Sequence, residues 1–142
     1  MSNLTLSTAN FKVENPGVFR FSNELDNLSV LSLGENDLSN ASIKLDSERG
    51  GWSIIGNPSI GEIELEKGSL AFTGGKLSVK KITSKSTSGQ LDIAGSVITD
   101  IQKFDLLQEV PNFLSNEAVL KTSLTDMSSF NFGSHNYQGK LE

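Results

Sequence analysis

The sequence predicts an all-β fold: an antiparallel meander forming a twisted sheet or sandwich with one apolar face, plus one short helix near residues 103–110. Three observations carry that expectation. Apolar residues recur in i, i+2 pairs, the period of a pleated strand and not of a helix. Glycines punctuate the pairs at a nearly fixed interval. Serine, asparagine and glycine fill the room left by 36% apolar and 20% charged residues, a composition that suits strands and turns with one solvated face.

From the start of the chain, Leu4/Leu6 and Phe11/Val13 alternate ahead of the turn signal Asn15-Pro16-Gly17. Phe19/Phe21 follow, then Leu28/Val30, with Leu33 running up to Gly34. Ile43/Leu45 form another pair, and Trp52/Ile54 one more after Gly50-Gly51, before Asn57-Pro58 breaks the chain. Short strands at such spacing are an all-β signature.

Residues 61–97 show the pattern most clearly. Ile63/Leu65, Leu70/Phe72, Leu77/Val79 and Leu91/Ile93 each begin two residues after a glycine: Gly61, Gly68, Gly75 and Gly89. The step is seven residues, with one polar slot at Ser84/Ser86. A coiled coil would need i, i+3 or i+4 pairs. A five-residue strand plus a two-residue turn also repeats every seven residues, and cross-strand partners then share a face. Thr73-Gly74-Gly75 and Glu66-Lys67-Gly68 suit tight hairpin loops. A longer strand is expected from Lys76 to about Ser86, turning at Thr87-Ser88-Gly89.

The exception is residues 104–114, FDLLQEVPNFL, where Phe104, Leu107 and Val110 fall at helical spacing and Pro111 is a terminator. Strand-like alternation returns at Val119–Leu124 and Phe130–Phe132. No linker divides the chain, so residues 1–142 are expected to form a single domain, long enough for one core. The final Leu141-Glu142 matches the remnant of a common cloning site, which leads us to expect a segment excised from a larger protein.

A formal net charge of −5 and a pI near 4.9 argue against sequence-independent binding to nucleic acid or anionic headgroups. With no cysteine there is no disulfide, thiolate chemistry or cysteine-ligated zinc. No apolar run reaches the length of a membrane span, and MSNLTLSTAN lacks the regions of a signal peptide.

Candidate chemistry is sparse. His135 is the one histidine, and Ser134 beside it points the opposite way in an extended chain, so the two cannot form a nucleophile–base pair. Glu62, Glu64 and Glu66 lie on the polar face of a strand, where an acidic cation site or glycosidase pair competes with a solvated face that discourages edge pairing. Glu35 and Asp37 in GENDLSN lack the ligand pattern of an EF-hand. Lys76, Lys80, Lys81 and Lys85 form a basic cluster that could meet a phosphate-bearing headgroup or simply keep a strand soluble. Trp52 and Tyr137 could stack on a sugar, although Trp52 beside Ile54 and Ile55 reads as core. Asn3, Asn27 and Asn40 open glycosylation sequons of a kind expected by chance in such a composition. No catalytic residue, metal ligand or cofactor site is assigned, and an enzyme is not expected.

The landmarks Gly75, Leu77, Val79, Ile82, Gly89, Leu91, Ile93, Gly95 and Val97 resemble the repeated β segment of AsmA-like bacterial envelope proteins, over residues 59–100. The resemblance implies a periplasm-facing, non-enzymatic segment of a membrane-anchored protein, acting in outer-membrane assembly or lipid transport through an apolar sheet face. Its partners would be lipid acyl chains, neighbouring β repeats and other envelope proteins. Two further readings stand beside it: a β-sandwich adhesion or carbohydrate-binding module, and a structural assembly domain of a secretion system or phage particle.

Overall fold

The computed structural model describes residues 5–6, 10–15, 17–24, 26–73, 75–106, 112–123 and 129–142, with backbone alone for the first two segments. Among these residues there are fourteen strands and no helix. They are β1 Thr5–Leu6, β2 Asn10–Asn15, β3 Val18–Asn23, β4 Leu28–Ser32, β5 Asp37–Ile55, β6 Ser59–Phe72, β7 Lys76–Ser84, β8 Gln90–Asp92, β9 Val97–Thr99, β10 Lys103–Leu106, β11 Asn112–Leu114, β12 Val119–Leu120, β13 Ser129–Asn131 and β14 Lys140–Leu141.

The chain is all-β, but it is neither an antiparallel meander nor a sandwich: it winds into a β-solenoid of about five turns with mostly parallel strands. Each turn has three sides, and the strands of one turn pair in parallel with those of the next. The first side stacks β3, the middle of β5, the middle of β6, the end of β7, then β10 and β13. The second stacks β4, the ends of β5 and β6, then β8 and β11. The third stacks the starts of β5, β6 and β7, then β9, β12 and β14. Among the described residues, antiparallel pairing is confined to β1 with β4 and to β2 with β3, the latter flanking the expected turn at Asn15-Pro16-Gly17.

The seven-residue step has a different cause from a hairpin. Gly61, Gly68 and Gly75 mark successive corners of one turn, and Gly89 lies one full turn beyond Gly68. Seven residues therefore make one side, and three sides make the turn. Glu66-Lys67-Gly68 is accordingly a bend within β6, not a hairpin loop. Gly68 has φ +93, and a Cβ there would lie 2.8 Å from the carbonyl oxygens of Gly50 and Ser47. Only glycine turns this corner without strain. The expected helix is also corrected: Lys103–Leu106 is strand β10, in parallel register with Lys81–Ser84, and residues 107–110 lie outside the described residues. Three apolar residues at helical spacing are outweighed by the stacking of Phe104 on Ile82.

Inward side chains form continuous ladders. Phe19, Ile43, Ile63, Ile82, Phe104 and Phe130 stack on the first side. Trp52, Leu70, Leu91 and Phe113 stack on the second, and Leu77, Ile98 and Leu120 on the third. The pairs from Ile63 to Ile93 all point into this closed interior, each no more than 2% exposed. Burying one such side chain contributes about 1.5–3 kcal/mol. Buried polar residues occupy the corner between the first and second sides. There Ser47 Oγ donates to Asn23 Oδ1 at 2.7 Å, and Asn23 Nδ2 donates to Ser29 Oγ at 2.9 Å and the Gly51 carbonyl at 3.1 Å. One turn beyond Gly68, Ser86 Oγ donates to the Gly68 carbonyl at 2.8 Å.

Candidate functional site

Alternation that sends apolar residues inward sends their neighbours outward, so each side of the coil carries ladders of its own. On the first side these are charged. The acidic stripe of β6 lies between cations contributed by the turns before and after it. Glu64 meets Lys85 at 3.0 Å and Lys44 at 3.8 Å, Glu66 pairs with Arg20, and Glu62 accepts a hydrogen bond from Ser42 at 2.8 Å. The hydrogen bond to Glu64 holds the Lys85 ammonium above its ordinary pKa. Glu64 and Glu66 are thus neutralised across strands and Glu62 is held by a hydroxyl, in place of all three converging on a cation, and no group of three or more histidine and acidic side chains that could hold a metal occurs among the described residues.

The four lysines are not brought together. Lys76 and Lys80 belong to the third side of β7 and the corner beyond it, Lys81 stands on the first side in register with Glu62, and Lys85 is engaged by Glu64. Asp37 accepts from the Ser39 hydroxyl at 2.6 Å and its amide at 3.1 Å, and the hydroxyl bond lowers the carboxyl pKa, while Glu35 is exposed.

The aromatic candidates also have structural partners. Trp52 is fully buried, donates its indole N–H to the Asp46 carbonyl at 3.0 Å and packs edge-on against Phe21. Tyr137 stacks on Phe132 at 5.1 Å and donates its hydroxyl to the Lys140 carbonyl at 2.6 Å; burial raises its pKa. His135 lies edge-on to Phe113, its Nε2 buried with no hydrogen-bond partner among the described residues, and Ser134 is exposed. Of the sequons, Asn27 and Asn40 are exposed and Asn3 lies outside the described residues.

The second side differs in kind. Its outward line Val30, Ser53, Ala71, Asp92 and Leu114 crosses all five turns in register and contains a single charge. A parallel line begins at Leu28 and continues through Gly51 and Ser69 to Gln90 and Asn112. A shallow groove of about 450 Å³ runs over this second line, floored by small residues and bordered by Leu28, Arg49, Gln90 and Asn112. Gly51 supplies its flattest point, since a Cβ there would collide with the Ser69 carbonyl. At the rim, Arg49 pairs with Asp26 at 3.1 Å and donates to the Glu24 carbonyl at 2.6 Å. Among the described residues, three of the four exposed large apolar side chains, Leu28, Val30 and Leu114, belong to this side. None of these residues stands out in the linear sequence. Their signal is the run of small residues at outward positions, Gly51, Ser53, Ser69 and Ala71, which becomes a surface only once turns are stacked.

No helix among the described residues is long and apolar enough to cross a membrane, a statement that does not extend to strands. No family model, no curated protein and no solved structure matches the chain.

Proposed function

We propose that this domain is a non-enzymatic structural module: a short, stiff β-solenoid rod that serves assembly in an envelope structure, a secretion apparatus or a particle. The observation that supports this reading is the disposition of its side chains. The apolar pairs are enclosed, the acidic stripe is matched by cations on neighbouring turns, and the second side, with a single carboxylate in its two outward lines, forms a flat strip along the rod. A surface of that kind suits contact with another protein.

The likeness to AsmA-like segments fits this reading through neighbouring β repeats as partners in a periplasm-facing setting. Acyl chains are poorer partners, because the apolar residues from Ile63 to Ile93 are already covered. The carbohydrate reading relied on Trp52 and Tyr137, and Trp52 has no exposed face to offer.

A glycan array probed with the intact domain, together with mass spectrometry of gently extracted protein for bound lipid, tests the proposal. Both are expected to be blank. Reproducible binding of a sugar, or a stoichiometric lipid, would overturn it.

A further inference from the structure

We infer that the second side is a self-complementary interface, and that its occupant is a second copy of this chain packed face to face with the rods running in opposite directions. The inference rests on the assembly reading and names the partner. In a closed pair the same patch must serve both copies. A twofold axis lying in the interface, parallel to the strands and level with Ala71, would preserve position along each strand and reverse the order of turns. It would set Ala71 against its own copy, Val30 against Leu114, and Ser53 against Asp92.

Each of those meetings is chemically matched. The exposed apolar side chains at the two ends of the line, 38% exposed at Val30 and 40% at Leu114, cover one another. The one carboxylate meets a hydroxyl and no second carboxylate. On the adjacent line the same operation brings Gln90 over Gly51, where the floor carries no side chain. A chain with net charge −5 repels its copies over most approaches, and this strip, with one carboxylate among the ten residues of its two lines, adds little to that repulsion.

Five turns about 4.8 Å apart make a patch about 20 Å long and one strand wide, below the size of a stable specific interface, so the pair is a weak and reversible one. Sedimentation velocity on the full chain over a wide concentration range is expected to show the mass rising from 15.3 kDa towards twice that value. Ala71→Arg, which places two cations on the axis, is expected to abolish the rise while leaving the circular dichroism and melting curve of the monomer intact.

The register is tested separately. Ser53→Lys, facing Asp92, is expected to tighten the pair by about tenfold at low salt, and Ser53→Asp to weaken it comparably. A chain that stays at 15.3 kDa throughout, association indifferent to Ala71→Arg, or equal effects of the two Ser53 variants would each overturn the pairing. A monomer that binds neither sugar nor lipid would overturn this interface and leave the assembly reading standing.

Discussion

Ser84 stands in parallel register with Leu65 inside the coil, and its hydroxyl has no hydrogen-bond partner among the described residues. Leu106 lies on its other side, so a polar group interrupts an otherwise apolar ladder. An unsatisfied buried hydroxyl costs about 1–3 kcal/mol. Ser84→Ala removes it and leaves a cavity no larger than one oxygen. Urea unfolding should show Ser84→Ala more stable than the parent by about 1 kcal/mol. A loss of stability would mean that the hydroxyl has a partner in solution.

The corner at Gly68 makes the opposite prediction. With φ +93 and two carbonyl oxygens 2.8 Å from any added Cβ, Gly68→Ala strains the backbone and crowds Ser47. The expected destabilisation is about 2 kcal/mol or more, read as a lower urea midpoint with an unchanged slope. Gly95, whose added Cβ would meet nothing within 4 Å, is the control: its left-handed φ of +75 costs something, but no steric clash is added. Equal losses at both sites would refute the crowding at Gly68.

These two positions show how far the sequence could be read. Alternation alone identified Ile63, Leu65, Leu70, Phe72, Leu77, Val79, Leu91 and Ile93 as sharing one environment, and all are buried. It could not give strand direction. A side chain's face depends on the pleat, whereas parallel or antiparallel pairing depends on where the chain goes between strands. Seven residues describe a strand with a tight turn as well as one side of a three-sided coil. The distinguishing signal was the echo at one turn, Gly68 with Leu70 against Gly89 with Leu91. Phe104 misled for a related reason: three residues at helical spacing say little beside an inward stack on Ile82. The flat strip of the second side was the least legible feature, because Ser53, Ala71 and Asp92 become neighbours only through parallel register.

On the charged side, Glu64 is the shared acceptor of Lys44 and Lys85. Glu64 is half-buried while both lysines reach solvent, and pairs at such a surface contribute about 0–1 kcal/mol each and are screened by salt. Glu64→Gln should therefore lower stability only slightly, and the difference should vanish in high salt. The Lys85 side-chain pKa, followed by NMR, should fall back towards its ordinary value of 10.5. A large, salt-independent loss would show that Glu64 has a role beyond the cross-strand pairs.

Tyr137 gives a pH-dependent signature. Burial against Phe132 raises the pKa of its phenol above the ordinary 10.0, because the phenolate would lose hydration. With the folded value above the unfolded one, the folded state holds its proton more tightly. The contribution to stability is fully present below pH about 10 and is lost as pH rises through the raised value. Lysines titrate in the same range, so the informative quantity is the difference between parent and Tyr137→Phe. Below pH 9 the phenylalanine variant should be slightly less stable, by about 1 kcal/mol, for want of one hydrogen bond. Above pH 10 that gap should close, since the parent alone must bury or expel a phenolate. Urea unfolding at pH 8 and pH 11 measures both values, and a gap that stays constant between them would show the phenol to be titrating as though it were in water.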